Sequence, residues 1–460
     1  MALQTFKKTI GIIGISGAGK TVFLTSLISQ LKNHDPDKLQ LDANNKKQKA
    51  EIYKFKEIRE GINLDFFEHK KYFNTLIDSK KWPDKTTDTT YFRCQLKRSD
   101  WSWTDVDFTF LDFPGERFND AIMLTDNNDF DAWSDKILER IESDPPCCRL
   151  AKEYFDCLQT ELDKESKVFN NKKVLDTYKR TLARFMFNYG AFITPSVFAL
   201  DTRGQQPVYH DDLNKVIEGR FLGCDAYRQF APLPEKLRKK YPGIHNLYSQ
   251  YYRQYCKQVV KPQFEQLAQC NNLLVLIDIH GLLVANTGRL NDTATIIGDV
   301  LRASVNEPEG MLSSLYKFFT FSFDKLEKIA LIATKSDMVN YRQVDNLSAL
   351  LYQLARPKLK HYPELKHQLF VCSAIKSTVM KNGNLWGHPV YSAEGSETET
   401  PLPDDLMSNL LPSDLPESWP GYWEPEQYFF PEIWPRVPYI KSMPPQHSGM
   451  ENIINFIFNN

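Results

Sequence analysis

One short stretch near the amino terminus constrains the fold of this chain more than any other feature. Residues 14–21 read GISGAGKT and match the pattern G-x-x-x-x-G-K-[ST]. They follow residues 9–15, a β-branched apolar run typical of a strand buried on both faces, and they precede residues 21–31, whose apolar residues recur at helical spacing. Glycines in such a turn let successive backbone N–H groups curl around a phosphate. The sequence therefore predicts a strand, a phosphate-binding loop and a helix in that order.

The residues of this loop have distinct expected contacts with a bound phosphate chain. Lys20 is expected to reach the β- and γ-phosphates, and Thr21 is expected to offer its hydroxyl to a Mg²⁺ ion. The dipole at the start of the following helix favours negative charge at the same place. The residues predicted to bind the phosphates are Ser16, Gly17, Ala18, Gly19, Lys20, Thr21 and Val22.

A second motif lies at the end of the apolar strand 106–111. Residues 112–115 read DFPG, so an acidic residue follows the strand and a glycine comes three residues later. Asp112 is expected to hold the hydration shell of Mg²⁺. Gly115 is expected to offer its N–H to the γ-phosphate and to move when that group leaves. The pattern D-x-x-G is common by itself, and its order relative to the loop at 14–21 gives it weight.

A third motif predicts which base is bound. Residues 334–337 read TKSD and close the apolar strand 329–334, matching [NT]-K-x-D. In that pattern the carboxylate accepts the N1 and 2-amino protons of guanine, while the lysine stem covers the ring. Adenine has no 2-amino donor and has an acceptor at N1, so a buried Asp337 would be left unpaired. The chain is therefore predicted to bind GTP in preference to ATP.

A fourth element follows the next apolar strand, at 368–372. Residues 372–376 read CSAIK and resemble the S-A-x-K loop, whose backbone contacts the guanine oxygen. Four elements in this order at strand ends are a far more specific signal than T-K-x-D alone. The residues predicted to bind the base are Thr334, Lys335, Asp337, Ser373, Ala374 and Ile375.

A threonine that caps Mg²⁺ and the γ-phosphate is expected just before the second strand. The stretch KTTDTTYF supplies four candidates, Thr86, Thr87, Thr89 and Thr90. Thr89 or Thr90 is favoured because such a loop normally closes immediately upstream of the strand, and Thr90 is the predicted metal ligand. At least two of the four are expected to belong to an ordinary hydroxyl-rich turn.

Apolar runs of strand length separated by helical segments predict an α/β fold with a mostly parallel sheet and helices on both faces. Nearly half of the 26 prolines lie in the aromatic-rich segment 383–445, which favours an irregular arm. The predicted parts are a sheet domain at 1–129 and 271–382 with a helical insertion at about 32–85, a helical subdomain at 130–270, a packed arm at 383–445 and a carboxyl-terminal helix at 446–460.

Composition excludes several classes of protein. Apolar residues make up 42% and charged residues 25% of the 460 residues, which excludes collagen-like and wholly disordered chains. Lys and Arg total 57 against 58 Asp and Glu, so a global electrostatic grip on nucleic acid is not expected. The 8 cysteines form no C-x-x-C pair and are expected to be free thiols. No leader or membrane-spanning run is recognised, so a cytosolic location is expected.

The motifs together resemble a translation-factor-related P-loop GTPase domain and, more closely, the bacterial YcjX-like family of stress-associated GTPases. The stretches that carry the resemblance are GISGAGKTVFLTSLISQL, LDFPGERFND, LAQCNNLLVLIDIHGLL, IALIATKSDMV, CSAIKST and MPPQHSGMENIINFIF. The resemblance spans essentially the whole chain. It implies that residues 1–129 and 271–382 form a G domain that binds GTP and GDP with Mg²⁺, in a family linked to envelope stress.

Two departures from small regulatory GTPases predict slow hydrolysis. Glu116 stands where those enzymes usually place a water-orienting glutamine, and γ-phosphate would repel its carboxylate unless a cation neutralised it. Ser16 occupies the position that is kept as glycine to admit an arginine finger, and Gly17 the position of asparagine in potassium-activated enzymes. The predicted catalytic residues are Lys20, Thr89, Thr90, Gly115 and Glu116. Candidates for an arginine finger in cis are Arg117, Arg289 and Arg302.

The leading hypothesis is a GTP-hydrolysing molecular switch in which GTP orders residues 86–90 and 113–120. Its state is transmitted to a protein effector through the helical insertion that leaves the second of these segments. A nucleotide-dependent scaffold with negligible turnover and a P-loop ATPase or kinase are the alternatives. The basic stretch at 46–59 contains interspersed acidic residues, which favours a solvated face, while peripheral contact with the inner membrane is left open.

Overall fold

The computed structural model describes most of the 460 residues, and its contacts divide the chain into two compact units. The described residues are 6–15, 17–43, 48–83, 86, 88–101, 105–124, 129–188, 194–197, 228–304, 326–385, 388–395, 408–425, 427–431, 433–435 and 443–459. The first unit comprises residues 1–115, 269–287 and 325–460, and the second comprises residues 116–268 and 288–324.

The first unit contains the β-strands. In chain order the strands are β1 Phe6–Gly14, β2 Leu41–Asp42, β3 Lys49–Ala50, β4 Ile52–Ile58, β5 Asp65–Phe66, β6 Thr90–Arg98, β7 Val106–Asp112, β8 Asn272–Ile277, β9 Lys328–Ala333, β10 Lys366–Val371, β11 Val379–Leu385, β12 His388–Gly395 and β13 Ser408–Leu410. Its main sheet has the order β10-β9-β8-β1-β7-β6-β4, with β5 added beside β6.

The helices of the described residues alternate with these strands or cluster in the second unit. In chain order they are α1 Lys20–Lys32, α2 His69–Asp78, α3 Phe130–Glu142, α4 Pro145–Leu150, α5 Lys152–Asp163, α6 Asn171–Asn188, α7 Glu235–Lys240, α8 Pro242–Tyr255, α9 Lys261–Leu267, α10 Ile279–Ala285, α11 Thr287–Ser304, α12 Val344–Leu359 and α13 Met450–Phe458. A 3₁₀-helix covers Gly115–Leu124. Among the described residues, every helix is too short or too polar to cross a bilayer.

The predicted α/β fold with a mostly parallel sheet is confirmed. Strands β7, β1, β8, β9 and β10 run parallel to one another, whereas β6 is antiparallel to β7 and β4 is antiparallel to β6. The central strands are uninterrupted apolar runs because both faces are covered, and every residue of β8 and β9 is buried. A buried cluster that includes Ile12, Leu24 and Leu274 joins β1, α1 and β8.

The strand order places β1 at a topological switch point. After β1 the chain first builds β4, β6 and β7 on one side, and it then crosses to build β8, β9 and β10 on the other side. In open α/β sheets, ligands bind outside the carboxyl ends of the strands at such a point. The motifs at 14–21, 112–115, 334–337 and 372–376 all follow strands whose carboxyl ends lie along this edge.

The insertion at 32–85 differs from its predicted helical structure. Residues 52–58 form edge strand β4, which is antiparallel to β6, and within this insertion only α2 is a complete described helix. Ile52, Phe55 and Ile58 recur every three residues, a spacing that also fits a helix. The register shift between Ile52 and Lys54 explains the first interval, because the bulge puts Ile52 and Phe55 on the same face of the strand. Ile58 lies on the opposite face. Phe55 then stacks on Phe92 of β6 with ring centroids 6.3 Å apart.

The arm predicted at 383–445 is irregular only in part. Strands β11, β12 and β13 form an antiparallel sheet at its start. The described residues beyond β13 lack regular elements up to 435 and pack through indole groups. The Nε1 of Trp423 donates to Leu283 O at 2.9 Å and that of Trp419 donates to Leu350 O at 2.9 Å. Helix α13 lies within the predicted terminal helix 446–460.

The described part of the second unit is helical and is organised around aromatic residues and a buried carboxylate. Trp133 packs against Phe230 and Tyr252 at centroid distances of 5.3 and 5.5 Å. Asp120 accepts hydrogen bonds from the backbone N–H of Ser196 at 2.9 Å and from the Tyr255 hydroxyl at 2.6 Å. Burial raises the pKa of Asp120, and these donors partly offset that effect.

A buried histidine in the first unit predicts a loss of stability in mild acid. His69 is 8% exposed, and its Nε2 lies 2.9 Å from Ser29 Oγ. Burial, reinforced by Lys32, lowers its pKa to about 4 from 6.5. Between pH 6.5 and 4, His69 binds a proton in the unfolded chain but not in the folded chain. The contribution of His69 to the free energy of unfolding is therefore complete above pH 6.5 and is lost as the pH falls toward 4. We expect a loss of about 2 kcal/mol between pH 6.5 and 5.

Urea denaturation at pH 7 and pH 5 measures this loss. His69→Gln keeps a group that can hydrogen bond Ser29 but removes the titration. The variant should therefore lose about 2 kcal/mol less than the natural chain between the two pH values. An identical pH dependence in both proteins would exclude His69 as the source.

Candidate functional site

The loop after β1 has the backbone conformation that a phosphate cradle requires. Gly17 and Gly19 have φ values of 88° and 81°, in the left-handed region that glycine tolerates best. The N–H of Ala18 between them donates to Ile15 O at 3.1 Å, which closes a tight turn. Gly19 then caps α1, whose first turn contains no acidic residue. The partial positive charge at the start of α1 is therefore not neutralised within its own first turn.

The position where β1 ends accepts only glycine. Gly14 has a φ of 154°, and a Cβ built on it would lie 2.4 Å from Leu276 O on neighbouring strand β8. Lys20 folds back over this point, because its Nζ donates to Gly14 O at 3.0 Å and the residue is 7% exposed. The ammonium of Lys20 is thus held above the loop at 14–21.

Three oxygen-bearing side chains converge beside this loop. The hydroxyl oxygens of Thr21 and Thr86 lie 2.7 Å apart. Both hydroxyls also reach Asp112 Oδ2, at 3.2 Å from Thr21 and 2.9 Å from Thr86. Asp112 is the last residue of β7 and is fully buried. These three residues are called the oxygen cluster below.

The oxygen cluster fits a small hard cation. Mg²⁺ prefers oxygen ligands, dehydrates reluctantly, and is commonly bound by one or two carboxylates together with water and substrate phosphates. Within the described ranges, no group of three or more His, Cys, Asp and Glu side chains is arranged to hold a metal. A site with a single carboxylate and two hydroxyls therefore suits an ion that keeps water and phosphate in its shell.

The threonine in this cluster is Thr86, which the sequence analysis did not favour. Thr90 already belongs to β6, opposite Asp112 in the antiparallel ladder, and its buried Oγ1 makes no hydrogen bond to the described residues. Thr89 immediately precedes β6 and is half-buried, and Thr87 lies outside the described residues. Strand pairing fixes the backbone at Thr90, whereas Thr86, further upstream, lies in a loop that reaches Thr21.

The remaining predicted residues on the phosphate side occupy several positions. Gly115 is the last residue of the segment 1–115, and Glu116 begins the second unit within the same 3₁₀-helix. Glu116 is buried, with 8% exposure. Val22 packs on a small apolar cluster that contains Ile375, so the phosphate loop and the loop at 372–376 share a contact. Ser16 lies outside the described residues.

Lys335 is fixed by a carboxylate that the sequence analysis missed. Its φ is 61°, and its Nζ donates to Asp278 Oδ2 at 2.6 Å. Asp278 follows β8 and caps α10, because its Oδ1 accepts the N–H of Gly281 at 2.9 Å. Burial raises the pKa of Asp278, but Lys335 and His280 outweigh burial and leave the pKa below its usual value. The sequence signal that could have found Asp278 is an aspartate near the end of the apolar run 273–279, three residues before Gly281.

Asp337 joins the TKSD motif at 334–337 to the loop at 372–376, and these two segments are called the base motifs below. Its Oδ1 accepts the hydroxyl of Ser373 at 2.7 Å, and its Oδ2 accepts the N–H groups of Ser377 and Thr378 at 2.8 and 3.1 Å. The Thr378 hydroxyl lies 3.2 Å from the same Oδ2. Each carboxylate oxygen has about two acceptor directions. Oδ2 is therefore saturated by the loop, and Oδ1 retains capacity for one further donor.

The other residues of the base motifs support this arrangement. The N–H of Thr334 donates to Ile277 O at 3.0 Å, which extends the β8 and β9 pairing by one residue. The carbonyl of Ala374 accepts the hydroxyl of Ser26 at 2.6 Å, so helix α1 also holds the loop at 372–376. The structure therefore connects the phosphate loop and the base motifs through one helix.

The fold and the site define an α/β protein that carries the P-loop sequence pattern at the central strand of a mostly parallel sheet. A family model described as "YcjX-like family, DUF463" matches residues 9–460. The chain belongs to the YcjX-like family, which confirms the resemblance drawn from its motifs.

Proposed function

We propose that the protein is a Mg²⁺-dependent molecular switch of the P-loop GTPase class that binds GTP and GDP and hydrolyses GTP slowly. The observation that carries the proposal is the oxygen cluster of Thr21, Thr86 and Asp112 beside Lys20. A phosphate cradle needs a cation near the β- and γ-phosphates, and the cluster provides oxygen ligands next to the loop. The position of the loop at the switch point of the sheet supports the same assignment.

On the phosphate side, the chain supplies positive charge and oriented donors. The N–H groups of Gly17 and Gly19 and those at the start of α1 bind phosphate oxygens, and Lys20 exchanges Gly14 O for phosphate oxygens. Thr21, Asp112 and Thr86 would hold Mg²⁺ directly or through water. When bound, Mg²⁺ neutralises charge that develops on the phosphates during transfer.

Switching follows from the positions of Thr86, which lies outside the described strands and helices, and Gly115, which is the first residue of a 3₁₀-helix. Thr86 lies in the segment before β6, and Gly115 lies just after β7. Contacts of both segments with a γ-phosphate would order them, and hydrolysis would release them. Gly115 also connects the first unit to the second along the chain. The second unit, with the helical region 130–270, is the proposed surface for a protein effector.

Hydrolysis is proposed to be slow because Glu116 follows the D-x-x-G motif. A carboxylate next to γ-phosphate can accept a proton from water only when a cation offsets the repulsion between the two anions. Single-turnover assays with GTP and Mg²⁺ measure this step. A rate indistinguishable from that of GTP in buffer would favour a nucleotide-dependent scaffold.

The hydrogen bonds of Asp337 favour a second candidate, a P-loop ATPase or kinase with weak base selection. Oδ2 is saturated by Ser377 and Thr378, so two guanine donors would compete with the loop for the carboxylate. Guanine can still be read if one of its donors takes the remaining direction on Oδ1 and the other displaces the Thr378 N–H, which at 3.1 Å is the longer of the two N–H contacts with Oδ2. Comparable affinities for GTP and ATP would support this second candidate.

The oxygen cluster predicts which threonine couples nucleotide to metal. Thr86→Val removes a hydroxyl from the cluster, so the Mg²⁺ concentration for half-maximal GTP binding should rise about 10-fold. Thr89→Val removes a neighbouring hydroxyl outside the cluster and should leave this concentration nearly unchanged. Fluorescent GTP analogue titrations at a series of Mg²⁺ concentrations measure both. A larger rise in this Mg²⁺ concentration for Thr89→Val than for Thr86→Val would assign metal binding to Thr89 instead.

A role in the bacterial stress response is a further proposal that rests on the resemblance. A cytosolic location is proposed from the sequence patterns, with peripheral membrane contact left open. Affinity purification with the GTP-bound protein and with the GDP-bound protein tests whether a protein effector binds in only one nucleotide state. A switch should retain partners in one state that it releases in the other, and identical partners in both states would contradict switching.

A further inference from the structure

The segment before α13 lies against both base motifs. Residues 445–449, called the C-terminal strap below, contain Ser448, which pairs with Ser373 in an isolated antiparallel bridge. The N–H of Ser448 donates to Ser373 O at 2.9 Å, and the N–H of Ser373 donates to Ser448 O at 3.0 Å. The hydroxyl of Ser448 also lies 3.0 Å from that of Ser336. One residue of the strap therefore touches both the TKSD motif and the loop at 372–376.

Further bonds hold the strap along this loop. The N–H of Lys376 donates to Gln446 O at 2.8 Å. The side chain of Gln30 on α1 donates to Pro445 O at 2.6 Å, and both of these groups are buried. The strap is therefore fixed to the loop at 372–376 on one side and to the helix of the phosphate loop on the other.

A glycine allows the strap to approach the end of β10. Gly449 has a φ of 74°, and a Cβ built on it would lie 2.2 Å from Val371 O. Any other residue would push the strap away from the sheet at the point where the loop 372–376 begins. The close approach requires this glycine in the same way that the turn after β1 requires Gly14.

The core of the first unit determines where the strap lies. Helix α13 follows Gly449 directly and buries Met450, Ile453, Ile454 and Ile457 completely in the cluster under the sheet. Lys328 of β9 donates to Phe456 O at 2.8 Å, which adds a polar anchor. The strap is consequently an extension of a rigid helix, so it can hold the base motifs in one geometry.

From these contacts we infer that the C-terminal strap is a third part of the guanine-binding site, in which Ser448 and Gly449 position Ser373 and, through it, Asp337. This inference rests on the proposed function. The hydroxyl of Ser373 occupies Asp337 Oδ1, so displacement of Ser373 changes which acceptor directions the carboxylate offers to a base. The strap contacts α1 at Gln30, near the end of the helix that is remote from the loop at 14–21, so it is expected to act on base affinity and not on the phosphate contacts.

The test separates the base from the phosphates by comparing GDP with inorganic tripolyphosphate, which lacks a base. Ser448→Ala removes the hydroxyl contact with Ser336 at 3.0 Å and the bond that this hydroxyl accepts from the Ser373 N–H at 3.3 Å, while keeping the backbone bridge. We expect GDP affinity to fall about 10-fold, as for the loss of one to two hydrogen bonds, with tripolyphosphate affinity unchanged. Gly449→Ala displaces the strap and should lower GDP affinity further. Calorimetric titration of the full chain with Mg²⁺ measures all of these affinities.

Ser413→Ala is the matched control, because Ser413 also accepts a backbone N–H in the carboxyl-terminal region, from Phe429 at 2.8 Å, without contacting the base motifs. It should bind GDP like the natural chain. Unchanged GDP affinity in both strap variants, or an equal loss of GDP and tripolyphosphate, would overturn the inference and leave the proposed function standing. If the natural chain bound tripolyphosphate as tightly as GDP, guanine recognition itself would fail and the inference with it.

Discussion

Replacing Lys20 with alanine is expected to lower GTP affinity by at least about 100-fold. The ammonium lies above the loop at 14–21, 3.0 Å from Gly14 O, where phosphate oxygens can replace that carbonyl. Each charge-assisted hydrogen bond contributes about 1.5–3 kcal/mol, so the loss of two corresponds to a factor of about 10² to 10⁴. Calorimetric titration with GTP and GDP in the presence of Mg²⁺ measures the loss.

The control for this variant comes from the same helix. Lys32 lies in the last turn of α1 and is exposed, so Lys32→Ala removes an equal charge away from the loop and should leave affinity within about twofold. The fold should survive Lys20→Ala, because the lost bond to Gly14 O contributes about 1.5–3 kcal/mol, which is less than the roughly 5–15 kcal/mol that stabilises a typical folded protein. A folded Lys20→Ala protein that retained GTP affinity would remove the phosphate-loop assignment.

Replacing Asp337 with asparagine should change the base that is bound. The asparagine Oδ1 can still accept the N–H groups of Ser377 and Thr378, and its Nδ2 can donate to Ser373 Oγ, so the loop is expected to keep its form. Guanine loses an acceptor and meets a donor, which should reduce GDP affinity at least about 100-fold. Xanthosine diphosphate has an oxygen in place of the 2-amino group, and its affinity should rise.

Competition titrations with GDP and xanthosine diphosphate measure this exchange of preference. Asp345→Asn is a suitable comparison. Asp345 is an exposed aspartate in the first turn of α12, so its replacement removes the same charge at a position outside the base motifs. If Asp337→Asn bound GDP as well as the natural chain, the four contacts of Asp337 would be structural and its base-reading role would be refuted.

Local patterns were sufficient to predict the mostly parallel sheet and the strand ends at which the motifs lie, while the roles of the motif residues stay predictions. Buried apolar runs located β1, β7, β8 and β9, since a parallel strand covered on both faces leaves a continuous hydrophobic signature. Lys20 and Thr21 follow β1, and Asp112 ends the neighbouring strand β7, so these residues lie at the same edge of the sheet. Ends of neighbouring parallel strands meet at one edge, so their motifs could be assigned to one site.

Long-range contacts account for what the sequence analysis missed. Thr86 rather than Thr90 reaches Asp112 because strand pairing already fixes Thr90, and strand pairing depends on residues far along the chain. A bulge in β4 put Ile52 and Phe55 on one face at a spacing of three residues, which also fits a helix. The bridge between Ser373 and Ser448 spans 75 positions and has no local signature. Such contacts depend on tertiary packing, which periodicity does not record.

The most direct test of the central claim is the relative affinity of the natural chain for GDP, GTP, ATP and inorganic tripolyphosphate at saturating Mg²⁺. One nucleotide that contacts both the loop at 14–21 and Asp337 should bind at least about 100-fold more tightly when its base is guanine. Equal affinities for GTP and ATP, or binding of GDP no tighter than tripolyphosphate, would contradict the claim.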